Sequence, residues 1–550
     1  MTGKTKQKIS LALCCFLAAV MIFSCVKKDL EPTETYPAAL TQLVKFLDGA
    51  PYPATGGEGS VVTFNVNGLK GKEGQFKFLI NQTEAEVVSV AENTVAVKVP
   101  VGASSGASAV LINGEYYFGP TFTVKGKVSI DPDFKTDVYV SNGSISGIIS
   151  KPDDASSYII YGSFSNYNNK ATVDIPITSV AIIKNTCEYS STFSMGKRGL
   201  GGSLSGLLPI SGNYLAFGSF GSVDTMGNIN NITLLTSSGA LSTKTVDVIN
   251  PDPVNRPEDG TALVPAFNGG TSGGITKAFN DASTGNTIVV GNFSSHVSTF
   301  YERSTKTGFQ IDLVKIRQLI RMKPDGTFDS TFNFDMTKKE GLTNGNGFIY
   351  DAVQQSNGKI IIVGNFSTFN GQAVNYIARI NNTDGSVDAT FNAGKAGAVG
   401  GSISRITYNA TTGKYLLLGS FKSFNGVPAN GIVMIDGNGN VDNTFTFGSV
   451  DGGQPNFAAQ LNNGKIMVAG SFSKYSTSAG NYIVRPGFMI LNSNGTLAAG
   501  YNNTGLFRGT INSFIESTTS DGSPAVILVG NFDRFNNKEV ADIVKVKLEN

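Results

Sequence analysis

An all-β chain built from repeated sheets is what this sequence predicts, on three observations. An apolar run ending in Gly-Ser/Asn-Phe occurs seven times: Tyr158–Phe164, Tyr214–Phe220, Thr287–Phe293, Ile360–Phe366, Tyr415–Phe421, Ile466–Phe472 and Val526–Phe532. Glycine is abundant, at 65 of 550 residues, and charged residues make up only 15%. Asn-Gly and Asp-Gly pairs punctuate the chain between the runs. The core glycines fall at 162, 218, 291, 364, 419, 470 and 530, so their spacings lie between 51 and 73 residues. Self-similarity at such periods marks a repeat architecture. The Val, Ile, Phe and Thr content, with turn residues between, favours short strands over helices.

Residues 1–24 read as a targeting signal. Lys4, Lys6 and Lys8 precede an uncharged apolar run, Ile9–Ser24, of 16 residues. That is shorter than the roughly 20 residues a membrane-spanning helix needs. Ile22-Phe23-Ser24-Cys25 resembles a bacterial lipobox. The resemblance implies that Cys25 carries the lipid and begins the mature chain. The alternative is an ordinary secretory signal with an incidental cysteine. Without the signal, 40 basic and 41 acidic groups remain, a net charge of −1 with no basic run. Such a balance offers nothing to nucleic acid. Cys187 is the one cysteine left once Cys14, Cys15 and Cys25 are accounted for, so no intramolecular disulfide is expected.

Residues 25–41 read as a polar tether with prolines at 32 and 37. The sequence after Cys25, Val-Lys-Lys-Asp-Leu-Glu, is similar to the mixed-charge tags that send Bacteroidetes lipoproteins to the outer surface. Residues 42–127 form a separate module. Val95–Pro100 alternates as a half-buried strand does, and Asn113-Gly114 suits a type I′ hairpin. Its order of Gly-x-Gly-Ser, Val-Thr-Phe, Gly-Leu, Val-Pro-x-Gly-Ala and Val-x-Ile-Asn-Gly resembles an IPT/TIG domain. The resemblance implies an immunoglobulin-like sandwich acting as a spacer or interaction module.

Residues 128–550 hold the repeats. Ser356–Asn392, with Asn370-Gly371 and Asp384-Gly385 turns around the core, resembles the delta-60 repeat of large bacterial surface proteins. That resemblance implies a β-propeller, here with seven blades of four antiparallel strands. Each core glycine would permit a bulge or a close backbone approach. The last repeat lacks the Asp-Gly-x-x-Asp-x-x-Phe arm, and Ile130-Asp131-Pro132-Asp133-Phe134 supplies the missing piece. We therefore expect this segment to close the ring as the outer strand of the last blade.

The chemistry available is thin. His296 is the one histidine, and it follows a core at a blade rim, where a solvated or hydrogen-bonded loop residue is expected. One histidine and Cys187 cannot build a zinc site. Asp329, Asp388 and Asp442 recur at one repeat position, so turn hydrogen bonds explain them better than catalysis. Asp436–Asp442 mimics a calcium loop but has Val441 and Phe447 where such a loop needs Gly and Glu. Tyr167, Phe369, Phe424, Tyr475 and Phe535 recur with the repeat and are expected to pack under the rim. No catalytic set, metal or cofactor is expected.

Two insertions break the repeat, at Thr243–Gly274 and Val297–Lys315. Strand reversal within a blade sends both to one face, side by side. They offer Arg256, Phe267, Phe300, Tyr301, Arg303 and Phe309 as ligand-binding candidates. The expected function is that of a non-enzymatic outer-membrane lipoprotein binding an extracellular polymer, a glycan for a neighbouring uptake system. The alternatives are a protein–protein scaffold or adhesin, and a glycosidase or lyase that uses carboxylates alone. Cell-surface exposure is expected, with the periplasmic face as the other orientation.

Overall fold

The computed structural model describes residues 43–136, 140–478 and 480–549. The signal, Cys25 and the tether lie outside the described residues. Among those described, strands and turns form the whole fold, with 3-10 turns at Pro257–Gly260 and Tyr301–Arg303 in place of any α-helix.

Residues 43–127 fold as two layers. Val61–Asn67, Thr94–Lys98 and Thr83–Val90 form one, and Phe76–Ile80, Gly106–Ile112 and Glu115–Lys125 the other, the two being joined by pairing of Thr83–Ala85 with Phe78–Ile80 into one continuous sheet. Strand Val61–Asn67 alternates between buried and open positions, as one buried face demands. It sends Phe64 across to Phe78 and Phe122, at 4.8 and 5.7 Å between ring centroids. Asn113 and Gly114 both take positive φ (53° and 82°) and join Ile112 to Glu115 as a two-residue turn.

Seven antiparallel sheets of the repeats each hold one apolar run as the second strand, beside smaller sheets of two or three strands. These runs are apolar throughout because both faces are buried. In the fourth repeat, Ile360 and Ile362 pack towards the third sheet, while Ile361 and Val363 pack towards the fifth. Seven apolar clusters lie between neighbouring sheets, and one of them joins the last sheet to the first. The hydrophobic core is thus spread through the interfaces of a closed ring.

The core glycines have a single physical cause. In each of the seven sheets, the register between first and second strands slips by one residue beside the core glycine. A Cβ at Gly162, Gly218, Gly291, Gly364, Gly419, Gly470 or Gly530 would lie 2.0–2.5 Å from a carbonyl oxygen in, or just before, the first strand. No side chain fits there, and the slip is a β-bulge that re-aims the residue after it.

The expected four-stranded blade is complete in the first and last sheets. In the other five, the fourth strand shrinks to one bridge, such as Ile380 with Val387. In the third, fourth and fifth sheets an Asp follows that bridge and its side chain adds bonds of its own. Asp388 Oδ1 accepts from the Thr390 backbone N–H at 3.0 Å, and its Oδ2 meets Arg379 Nε at 2.8 Å and Lys359 Nζ at 2.6 Å. Burial pushes the Asp388 carboxyl up, but Lys359, Thr390 and Arg379 outweigh it and hold the group well below the carboxylate range. Asp329 pairs likewise with Arg321 at 2.6 Å, and Asp442 with Lys414 at 2.9 Å.

The closing strand differs from its expected span. Val128–Ile130, rather than Ile130–Phe134, pairs with Val546–Leu548. Asp131 ends the pairing because Pro132, next along, has no N–H to donate. Asp131 instead stands 3.6 Å from buried Lys545, in the role Asp388 plays for Arg379. Phe134 is buried between the last and first sheets with Ile145 and Ile527.

Candidate functional site

The two insertions meet. Strand Thr243–Asp247 pairs with Thr261–Pro265, and Ser295–Thr299 pairs with Ile311–Lys315. The hairpins are tied together: Ile249 N–H donates to Ser304 O at 2.8 Å, and Lys306 Nζ lies 3.1 Å from Asp259. Asn268 and Thr299 exchange two further hydrogen bonds of 2.9 Å.

Phe300, 39% exposed, carries the Arg303 guanidinium 4.9 Å from its ring centroid. Both line a hollow of about 440 Å³ with Gln310, Ile311 and Asp312. Tyr301 and Phe309 pack edge to face at 6.1 Å, each half-buried, and support the loop. Arg256 is held by Asp259 at 2.8 Å and does not line the hollow. Phe267 leaves the candidate set. It is 5% exposed and packs on Leu215, Phe217 and Ile275, because the first insertion returns through the core before the third sheet begins.

His296 is buried, not solvated. Its Nε2–H donates to Gly326 O at 3.1 Å, and its ring lies 5.6 Å from Phe328. Burial pushes its pKa down, which keeps the ring neutral. The recurring aromatics Tyr167, Phe369, Phe424, Tyr475 and Phe535 are all fully buried, as packing requires. Asp436 Oδ1 accepts from the N–H groups of Asn438 and Asn440, so that segment is a turn closed on itself.

A second cavity was not anticipated. The first strands of all seven sheets line a central channel of about 970 Å³. Its charged lining is Lys277, Asp351 and Arg405, which occupy one repeat position in three consecutive sheets. Gly147, Gly206, Phe457 and Ser513 hold that position elsewhere. Lys277 Nζ lies 3.4 Å from Asp351 Oδ1, and Asp351 Oδ2 accepts from Ile406 N–H at 3.2 Å. Asp351 raises the pKa of Lys277 against the opposing effect of burial. Solvent reaches 44% of the Lys277 side chain even though protein surrounds it, as expected for a channel wall. Stacking the repeats on their core glycines would have exposed this position as the charged exception in a Ser-, Thr- and Asn-rich strand.

Comparison with known proteins places the repeats. The profile of the family described as "Domain of unknown function (DUF5122) beta-propeller" matches residues 355–391, 411–445 and 461–497. These stretches hold the fourth, fifth and sixth cores, and the repeat region is a β-propeller. No curated protein matches the chain. Among solved structures, an auxiliary nutrient binding protein from Bacteroides thetaiotaomicron is 12% identical, at a TM-score of 0.33 over 93% of this chain and 99% of that one. A second auxiliary nutrient binding protein, from Bacteroides ovatus, is 12% identical at 0.31, over 91% and 97%. The WD40 propeller domain of Doa1 is 14% identical at 0.33, over 75% and 97%.

Proposed function

We propose that this chain is a non-enzymatic, cell-envelope lipoprotein that binds an extracellular polymer, a glycan. In this reading Cys25 anchors it, an IPT/TIG-like sandwich follows the tether, and a seven-bladed propeller displays the binding face. The observation that carries the reading is the convergence of the two insertions on one face, where Phe300 and Arg303 open a hollow to solvent. An exposed aromatic ring beside charged and amide groups suits the apolar face and hydroxyls of a sugar. The channel supports the non-enzymatic part. Among the described residues its one lining carboxylate, Asp351, is engaged by Lys277 and Ile406, whereas glycoside hydrolysis uses a pair.

A glycan array probed with the protein, followed by titration of any hit, tests the reading. Phe300→Ala and Arg303→Ala should each weaken binding about tenfold, the loss of one good contact of roughly 1.4 kcal/mol. An array without a hit would sink it. Exposed Leu263, Ile311 and Leu313 on the same hairpins favour a second reading, a protein-binding face. A partner lost on Leu313→Asp, with no glycan bound, would select that reading. The anchor has its own test. Cys25→Ala should move the protein from the membrane to the soluble fraction, since stable anchoring needs the acyl chains. Retention at the wild-type level would refute it.

A further inference from the structure

The central channel has a chemistry of its own, separate from the hollow between the insertions. The bulge beside each core glycine defines one first-strand position per sheet, and in five sheets its side chain lines the channel: Lys277, Asp351, Arg405, Phe457 and Ser513. Three consecutive sheets use this place for Lys277, Asp351 and Arg405. Two cations against one carboxylate leave a surplus of one positive charge, with no other charged side chain on the described wall. Charge in such a recess acts over a lower dielectric than in bulk water.

Arg405 is held in place but only half used. Its Nη1 donates to Ile511 O at 3.4 Å and Asn512 O at 3.2 Å, and its guanidinium lies 5.1 Å from the Phe457 ring centroid. Nε and Nη2 donate to no described residue. The plane is fixed by the Phe457 ring and two carbonyls, and its remaining donors form a fork. A planar carboxylate matches such a fork with two parallel hydrogen bonds. It also matches the surplus charge, which a phosphate dianion would exceed. The same cavity holds two open rings, Tyr350 at 42% and Tyr408 at 40% exposure, and the hydroxyls of Thr276, Ser404 and Ser513. Tyr408 is braced by Tyr415, with ring centroids 4.5 Å apart.

We propose that the channel is a binding site for an acidic sugar, a uronic acid, whose carboxylate is taken by Arg405 and whose ring lies against the tyrosines. Its volume suits a mono- or disaccharide. The acidic sugar is either free or the end of a polymer.

Calorimetric titration of the mature chain tests the proposal with four probes: D-glucuronate, D-glucose, a galacturonate oligomer and inorganic phosphate. Glucuronate should bind at least about tenfold tighter than glucose, the worth of a charge-assisted hydrogen-bonded pair. Arg405→Gln should abolish that preference. Arg405→Lys, which keeps the charge and loses the fork, should weaken it and serves if the first variant misfolds. Asp351→Asn should tighten glucuronate severalfold by removing the competing carboxylate. Phe300→Ala should change nothing here, which separates this site from the hollow. Tighter binding of the oligomer than of the monomer assigns the source to a polymer, and the reverse to a free sugar. Absent glucuronate binding, equal binding of glucose or phosphate, or an unaffected Arg405→Gln would each overturn the proposal.

Discussion

Asp542 shows how one atom type can set a pH response in this fold. Its Oδ1 accepts from Phe532 N–H at 3.0 Å, at the close of the last core. Asn231 makes the same bond to Phe220 at 3.0 Å in the second repeat, with a neutral side chain. Burial pushes the Asp542 carboxyl up to about 6, against the pull of the Phe532 bond and with some help from Asp533. The unfolded value is about 3.9, so the folded state holds the proton more tightly. Ionisation above pH 6 therefore costs stability, and the cost fades as pH falls through 6 towards 4. Asp542→Asn should raise the melting midpoint at pH 8, with the gain shrinking to little by pH 4. Thermal unfolding at both pH values measures it, and a pH-independent difference would show that the carboxylate is not strained.

At the scale of the element, the segment after the N-terminal module does two jobs. Val128–Ile130 covers the open edge of the last sheet, and Phe134 fills the seam between last and first. Asp131, 3% exposed, balances Lys545, whose pKa burial pushes down and Asp131 raises. Removing one partner of such a buried pair costs about 3–5 kcal/mol, and losing a buried Phe costs a similar ~3–5 kcal/mol. A chain beginning at residue 136 should therefore melt well below one beginning at 127. Equal midpoints would show that the ring closes without this segment. The Asp tails repeat the device within the ring. Arg321 and Arg379 each reach an Asp while lying over Phe332 and Phe391, at 4.9 and 5.1 Å from the ring centroids.

Across the whole molecule, hydrogen bonds join the module of residues 43–127 to the propeller. Asn503 binds both sides of the junction: its Nδ2 donates to Val124 O at 3.2 Å and Val128 O at 2.9 Å, and its backbone O accepts from Ser105 Oγ at 2.8 Å. A Cβ at Gly126 would lie 2.5 Å from the Asn503 side chain, so the chain passes too close for any other residue. Arg485, 2% exposed, donates to Gly102 O at 2.9 Å, and burial lowers its pKa to about 10 against the pull of Glu58. Asn503→Ala strands two carbonyls and an N–H, at about 1–3 kcal/mol. Hydrogen exchange over 124–128 should accelerate in the variant, as read by mass spectrometry. Unchanged exchange would mean that the seat holds by other contacts.

The all-β repeat, its turns and the glycine at each core follow from the order of residues alone. These rest on local causes: period-two or continuous apolar runs, positive φ at Asn-Gly, and the space denied to a Cβ. The meeting of the insertions was legible too, because strand reversal decides which face a loop leaves from. Burial was less so. Phe267 and His296 looked like loop residues, and only packing between sheets put them inside. Aligning the repeats marks the position of the channel triad, but only the tertiary structure brings its three members to one wall. A one-residue bulge turns Lys277, Asp351 and Arg405 to the centre, and the packing of three consecutive sheets side by side brings their first strands together. Pairing between residues 54 to 74 apart carries no local signal, since nothing in a strand's own pattern says which neighbour it will face.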